Sequence, residues 1–271
     1  MNTLTDSVAA TMPDVQSSLD ARHLPIQRVG VRQVRHPMLI AMPGNQPALP
    51  TVAEWELTVA LPAHAKGTHM SRFVALLDTY RPQAMTPALF CQMAEEMLPL
   101  LNVTQGDMSA KFAYFLSKTA PVSGIASLMD YEVTWFAQAQ QGQATEFELT
   151  VLVPVTSLCP CSKAISNYGA HNQRSHVTVQ ARFDDLAQID VPALIARVEA
   201  QASCELWSLL KRGDEKYVTE RAYDNPKFVE DLVRDVAVQV RDFPGVKRYR
   251  IEAENFESIH NHSAYAVVVG D

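Results

Sequence analysis

Glu54-Trp-Glu-Leu-Thr-Val-Ala-Leu-Pro62 puts Trp55, Leu57 and Val59 on one side of an extended chain. Alternation of this kind marks a half-buried β-strand. Glu146-Phe-Glu-Leu-Thr-Val-Leu-Val-Pro154 repeats it, with six of nine positions identical, 92 residues further on. The pair predicts an internal duplication built on strands.

Reading outward from the first copy, a strand is expected through Ser71–Leu77, then a helix opening at Thr86-Pro87 and running to about Leu101. Strand-like segments near Lys111–Ser117 and Ser127–Gln138 close that half. After the second copy, Val177, Val179, Ala181 and Phe183 alternate within His176–Phe183. A helix is expected after Asp190 as N-cap, with Pro192 in its first turn, reaching about Leu210. Another is expected with Asn225 as N-cap and Pro226 at its first position. Its stripe of Phe228, Val229, Leu232, Val233, Val236 and Val240 has helical spacing. Val246–Phe256 and Ala264–Val269 read as the last strand pair. The order ββααββ, preceded by a related ββαββ, predicts an α+β fold of antiparallel sheets with helices layered on one face. We divide the chain into an N-terminal arm (1–24), a first module (25–143) and a second module (144–271). The arm is polar and is expected to be loosely docked.

Composition narrows the function. The chain has 271 residues, 47% hydrophobic and 20% charged, which suits a soluble globular protein. A formal net charge of -7 argues against a nucleic-acid partner. No apolar run approaches the roughly 20 residues of a membrane span, and the first 26 residues lack a basic start followed by an apolar run. Four cysteines, Cys91, Cys159, Cys161 and Cys204, do not form a secreted disulfide framework. The expected compartment is the reducing cytoplasm, where close-set cysteines serve metal or catalysis.

Ser157-Leu-Cys-Pro-Cys-Ser-Lys163 and Asn167-Tyr-Gly-Ala-His-Asn-Gln-Arg-Ser-His176 carry the chemistry. Thiolate and imidazole are ligands preferred by a borderline-soft divalent ion such as zinc. Cys159 and His171 cannot close a tetrahedral site, so a third ligand must come from elsewhere. An open position for water would then make the metal catalytic. Pro160 biases Cys159 towards extended geometry, which would place Cys159 and Cys161 on one face of the chain. The ordinary alternative is a pair of small buried hydrophobes. Lys163 and Arg174 around them suit an anionic substrate. His176 opens an alternating strand and reads as a structural hydrogen-bonder. His260 and His262 lie between the last two strands, where a turn pair and a catalytic group are equally natural. Lys211-Arg-Gly-Asp-Glu-Lys-Tyr217, just past a helix end, reads as a solvated charged corner from which Glu215 could supply the missing ligand. Glu230 lies off the apolar stripe near the positive end of its helix.

These segments, with Ala222-Tyr-Asp-Asn-Pro-Lys-Phe-Val-Glu-Asp231 and Glu257-Ser-Ile-His260, resemble the type IB GTP cyclohydrolase I family. Met12–Gln16, Pro25-Ile26 and Lys66-Gly-Thr-His-Met-Ser-Arg-Phe73 resemble family segments too, so the likeness spans nearly the whole chain. It implies two tandem tunnelling-fold modules and a homo-oligomer, a tetramer, with active sites where subunits meet. The implied reaction takes GTP and water to 7,8-dihydroneopterin triphosphate and formate, the first step towards folate and 7-deazaguanine. A divalent metal (zinc, manganese or iron) held by Cys159, His171 and Glu215 would lower the pKa of bound water. Cys161 corresponds to a catalytic thiol, and His260 to a further ligand or a proton-transfer group. Glu230 corresponds to the carboxylate that accepts guanine N1–H and the 2-amino group. Lys163, Arg174, Lys211, Arg212 and Arg72 are candidates for the triphosphate, and Thr68, His69 and Ser71 for the pocket wall across a subunit boundary. The alternative is a tunnelling-fold nitrile reductase using NADPH and a Cys161 nucleophile, which would leave His171 and Glu215 idle.

Overall fold

The computed structural model describes residue 16, residues 18–44 and residues 46–271. Most of the expected arm, residues 1–15 and 17, lies outside the described residues. What is described of it docks: Leu19 bridges Ala65, and Asp20 N donates to His64 O at 2.9 Å.

The first half contributes β1 (Ile26–Ile40), β2 (Leu49–Leu61), helix α1 (Met70–Tyr80), the short β3 (Ala84–Met85), α2 (Pro87–Leu101), β4 (Gln105–Thr119) and β5 (Ala126–Gln140). The second contributes β6 (Glu146–Leu158), α3 (Pro160–Ile165), β7 (Asn172–Phe183), α4 (Val191–Glu199), α5 (Arg212–Asp224), α6 (Val229–Arg241), β8 (Val246–Asn255) and β9 (Ala264–Gly270). Among the described residues, nine strands join one sheet in the order β3-β1-β2-β4-β5-β6-β7-β8-β9. Every pairing is antiparallel except the two-residue contact of β3 with β1. The boundary expected between residues 143 and 144 falls in the turn from β5 to β6, and one apolar core runs beneath both halves.

Alternation decides which face is covered. Trp55, Leu57 and Val59 of β2, Val133 and Trp135 of β5, and Val151, Val153 and Val155 of β6 are all buried. Helix α2 packs over β4, β5 and β6, α4 over β6, and α6 over β8 and β9, while α1 sits on β1 and α2. The other face carries charge, including Lys111 paired with Glu132 at 2.7 Å. Phe90 of α2, fully buried, gathers Trp55, Trp135 and Phe147 at centroid distances of 5.8, 5.6 and 6.1 Å. Burying one such ring contributes about 1.5–3 kcal/mol, and each well-oriented aromatic pair about 0.5–1.5 more.

Four readings of the sequence need correction. The two nonamers occupy β2 and β6, which are the second strand of one half and the first strand of the other. They are therefore not equivalent positions of a ββααββ repeat. Their shared pattern comes from a shared task, since Trp55 and Phe147 meet the same Phe90. The segment Ser71–Leu77 is helical: Phe73, Leu76, Leu77 and Tyr80 are its buried residues, and their spacing is helical. The helix after Asp190 does begin there, with Ala193 N donating to Asp190 Oδ1 at 3.0 Å, but it stops at Glu199 rather than near Leu210. Residues 200–211 instead cross the sheet end, where Thr156 and Cys204 form a bridge. Lys118 Nζ holds this crossing at Leu206 O and reaches Glu199 Oε1, both at 2.7 Å. Finally, Lys211–Tyr217 opens helix α5, and Asn225 ends that helix rather than starting the next. Phe228 is the residue before α6.

Candidate active site

Strand β6 ends where Pro160 can no longer donate to a ladder. Pro160 opens α3 with Cys159 as N-cap, in extended geometry at φ -70 and ψ 118. Ser162 N donates to the Cys159 sulfur at 3.5 Å, and Cys159 N donates to His171 O at 3.1 Å. Ser162 Oγ ties the two segments further, donating to Cys159 O at 3.2 Å and accepting from His171 N at 3.3 Å. Cys159 and His171 are thus adjacent because β6 and β7 pair to their ends. Cys161 does not share a face with Cys159 as expected. It lies in the first turn of α3, exposed, because the chain turns helical straight after the N-cap.

His171 is oriented from behind. Its ring Nδ1 lies 3.0 Å from Gln173 Oε1, 3.5 Å from Ser258 Oγ and 4.0 Å from Glu257 Oε2. Gln173 Nε2 donates in turn to Glu257 Oε1 at 3.5 Å. With Nδ1–H donated to the Gln173 oxygen, the lone pair of Nε2 is left for another partner, which is the arrangement of a metal-binding imidazole. Gln173 and Glu257 were not singled out from the sequence. The signals were present: Gln173 shares a strand face with His171, and Glu257 stands three residues before His260.

Glu230 comes close through the main chain. Lys227 N donates to Leu158 O at 3.1 Å, and Leu158 N donates to Ser203 Oγ at 3.1 Å, so the start of α6 is pinned to the residue before Cys159. Glu230 is exposed in the first turn of α6, with no side-chain partner among the described residues. A carboxylate there meets the positive end of the helix.

The remaining candidates are scattered. Glu215 is exposed on α5, beside the fully buried Asp214. Burial alone would raise the Asp214 pKa. Hydrogen bonds from Ser123, Lys211 and Val122 prevail and hold its carboxyl well below the usual carboxylate range. They also fasten the start of α5 to the β4–β5 turn. Lys211 and Arg212 are exposed at that helix start. Lys163 is engaged, donating to Tyr223 O and lying 4.3 Å over the Tyr223 ring. Arg174 alternates to the face opposite Gln173, where it lines a cavity of about 430 Å³ with His176 and Trp207. Its guanidinium has no side-chain partner among the described residues. His260 is exposed in the β8–β9 loop and stacks on His262, with centroids 5.1 Å apart. His69 is the residue before α1, Thr68 is buried, and Arg72 donates to Leu100 O at 2.9 Å. The sheet order sets that group four strands away from β6, so a single chain does not unite it with Cys159.

Among the described residues, no group of three or more His, Cys, Asp or Glu side chains is placed to hold a metal ion. Cys159 and His171 suit a divalent ion in donor type and orientation, and the chain alone does not close a third ligand around them.

A family model described as type I GTP cyclohydrolase folE2 matches residues 12–266. A GTP cyclohydrolase FolE2 of Bordetella pertussis is 69% identical over 262 residues, 97% of this chain and 97% of that protein. A GTP cyclohydrolase FolE2 of Paraburkholderia phymatum is 58% identical over 263 residues, 97% and 96% of the two chains. Among solved structures, a highly active mutant of Bacillus sp. TB-90 urate oxidase aligns with a TM-score of 0.53 at 7% identity, covering 90% of this chain and 99% of its own. A hyper-thermostable AgUricase mutant aligns at 0.52 and 12% identity, covering 91% and 92%. At such identities these two speak for the tunnelling fold alone.

Proposed function

This chain belongs to the type I GTP cyclohydrolase FolE2 family, and from that premise we propose how its own residues carry the reaction. The activity is that of a GTP cyclohydrolase I, hydrolysing GTP at C8 of the purine to give 7,8-dihydroneopterin triphosphate and formate. The nitrile reductase alternative has no support in the matched family or the relatives named above.

The observation that carries the site is the pairing of Cys159 with an imidazole whose Nδ1 is already committed to Gln173. We assign Cys159 and His171 to a divalent metal, with Glu215 as a third ligand. Such an ion, when bound, supplies Lewis acidity and brings the pKa of water towards neutrality. Gln173 and Glu257 fix the His171 ring. Glu230 accepts guanine N1–H and the 2-amino group through its two oxygens, and rejects adenine, which would leave that carboxylate buried and unpaired. Cys161, exposed beside this centre, moves the proton at the imidazole ring as it opens. His260, on the loop that carries Glu257, serves the same end of the sheet as a second proton-transfer group.

Lys163, Arg174, Lys211 and Arg72 compete for the triphosphate. Arg174 and Lys211 suit it best in this chain, since Lys163 and Arg72 already bond main-chain carbonyls. The distance of His69 and Arg72 from Cys159 in the sheet order supports a homo-oligomer, a tetramer in our reading, in which one copy's first module (25–143) faces another's second (144–271). None of the described helices is long and apolar enough to cross a membrane. We place the enzyme in the cytoplasm, feeding folate synthesis.

Cys161→Ala tests the assignment. It is expected to keep zinc and GTP affinity while turnover falls by about 10²–10⁴, the usual weight of a general acid–base group. Normal single-turnover rates in a folded variant would exclude Cys161 from the chemistry.

A further inference from the structure

On the helix-covered face, the three strands that bear the site are apolar until they near it. Val151, Val153 and Val155 of β6, Val177 and Val179 of β7, and Ile251 and Ala253 of β8 are fully buried. At the site end polar residues take over: Ser175 pairs with Asn255, and Ser157, two residues past the Val155 that faces Ser175, is opposite Gln173; Ser157, Ser175 and Asn255 are at 0%, 0% and 3% exposure. Ser175 Oγ donates to Asn255 Oδ1 at 2.7 Å, and Ser157 Oγ lies 2.7 Å from Ser175 Oγ. The Ser175 proton is committed to an oxygen that has none to return, so Ser157 is the donor to Ser175. The hydrogen bonds therefore run one way, β6 to β7 to β8.

A buried polar chain of this kind adds little net stability over apolar residues of the same shape, but a member left unpaired is costly. It is satisfied in one register only. A slip of one residue would carry each hydroxyl or amide to the opposite face. Each member stands close to a residue of the site on the same face. Ser157 is two residues before Cys159, Asn255 two before Glu257, and Ser175 two after Gln173, which holds His171.

We propose that Ser157, Ser175 and Asn255 are positioning residues for the cyclohydrolase reaction: they lock the ends of β6, β7 and β8 in the one register that brings Cys159, His171 and Glu257 together. The inference rests on the assignment of Cys159 and His171 to the active site.

The test compares the full chain with Ser157→Ala/Ser175→Ala/Asn255→Leu and with Cys159→Ala. Three quantities are measured: the denaturant midpoint, zinc affinity by chelator competition, and kcat and KM for GTP. Because the triple variant removes donors and acceptors together, its midpoint should stay near that of the parent. Its zinc affinity should fall by about 10–100-fold, as when residues behind a metal ligand are removed. Turnover should fall with it while KM for GTP stays within about threefold, since the start of α6, which carries Glu230, is held by the main chain of Leu158 and by none of these three side chains. If the triple variant fails to fold, Ser157→Ala alone gives the same readout. Ser157 is the terminal donor, and its loss leaves only a spare lone pair on Ser175. Parental zinc affinity and turnover in a folded variant, with Cys159→Ala inactive, would overturn the register lock and leave the site standing. An active, zinc-replete Cys159→Ala would overturn the site assignment beneath it.

Discussion

Glu230→Gln is the sharpest perturbation of substrate choice. The side chain is exposed in the first turn of α6 and bonds no other described side chain, so both oxygens are available to a base. Folding should change little: the lost attraction to the helix terminus is worth about 0.3–1 kcal/mol. Binding should change much more. One charge-assisted hydrogen bond is lost, about 1.5–3 kcal/mol, and an amide N–H₂ now faces a substrate donor. We take the sum as about 2–4 kcal/mol, or roughly 30- to 1000-fold in kcat/KM for GTP. Inosine triphosphate, which lacks the 2-amino group, adds a control. The parent should prefer GTP over it, and Glu230→Gln should lose roughly tenfold or more of that preference. The assay is pterin fluorescence after oxidation, with metal content checked in parallel. Unchanged kcat/KM for GTP, or an undiminished preference over inosine triphosphate, would refute the assignment of Glu230 to the guanine edge.

Two further outcomes follow from burial. Burial, aided by Glu95, pushes the Cys91 thiol up to about 12, and burial pushes Cys204 to about 11, whereas Cys161 is exposed. Iodoacetamide near neutral pH should therefore alkylate Cys161 long before Cys91 or Cys204, as read by mass spectrometry. Equal labelling of all three in the folded protein would contradict the packing. Burial, and then the charge of Arg174, lowers the pKa of His176 below its ordinary 6.5. The folded state thus resists a proton that the unfolded chain accepts, so this contribution to stability is complete above pH 6.5 and is lost as pH falls through the lower folded value. His176→Gln should lose less stability than the parent between about pH 7 and pH 5 in denaturant titrations. Parallel losses would show that His176 is not the group responsible.

Much of the fold was legible because alternation and caps are local. Thr86-Pro87, Asp190 and the stripe from Val229 to Val240 each announce an element at its observed start or along its observed face. The errors arose where tertiary contacts decide. Ser71–Leu77 is short and apolar enough to suit either period, and its packing on β1 and α2 makes it a helix. Residues 200–211 carry no breaker at Leu210's expected helix end, and they are drawn across the sheet by Lys118 and Thr156. At the site, Cys159 and His171 could be paired from their motif. The side chains behind them, Gln173 and Glu257, depend on strand register, which one sequence does not display. The group around His69 depends in our reading on a second copy.

The most direct test of the account is Cys159→Ala, with zinc content and GTP turnover measured on the same folded sample. Cys159 stands at a strand end and bonds its neighbours largely through its backbone, so the variant should fold with a near-parental midpoint. It should bind no stoichiometric zinc and release neither formate nor fluorescent pterin from GTP. Stoichiometric zinc together with parental turnover in that variant would contradict the claim that the paired ends of β6 and β7 form the reaction centre.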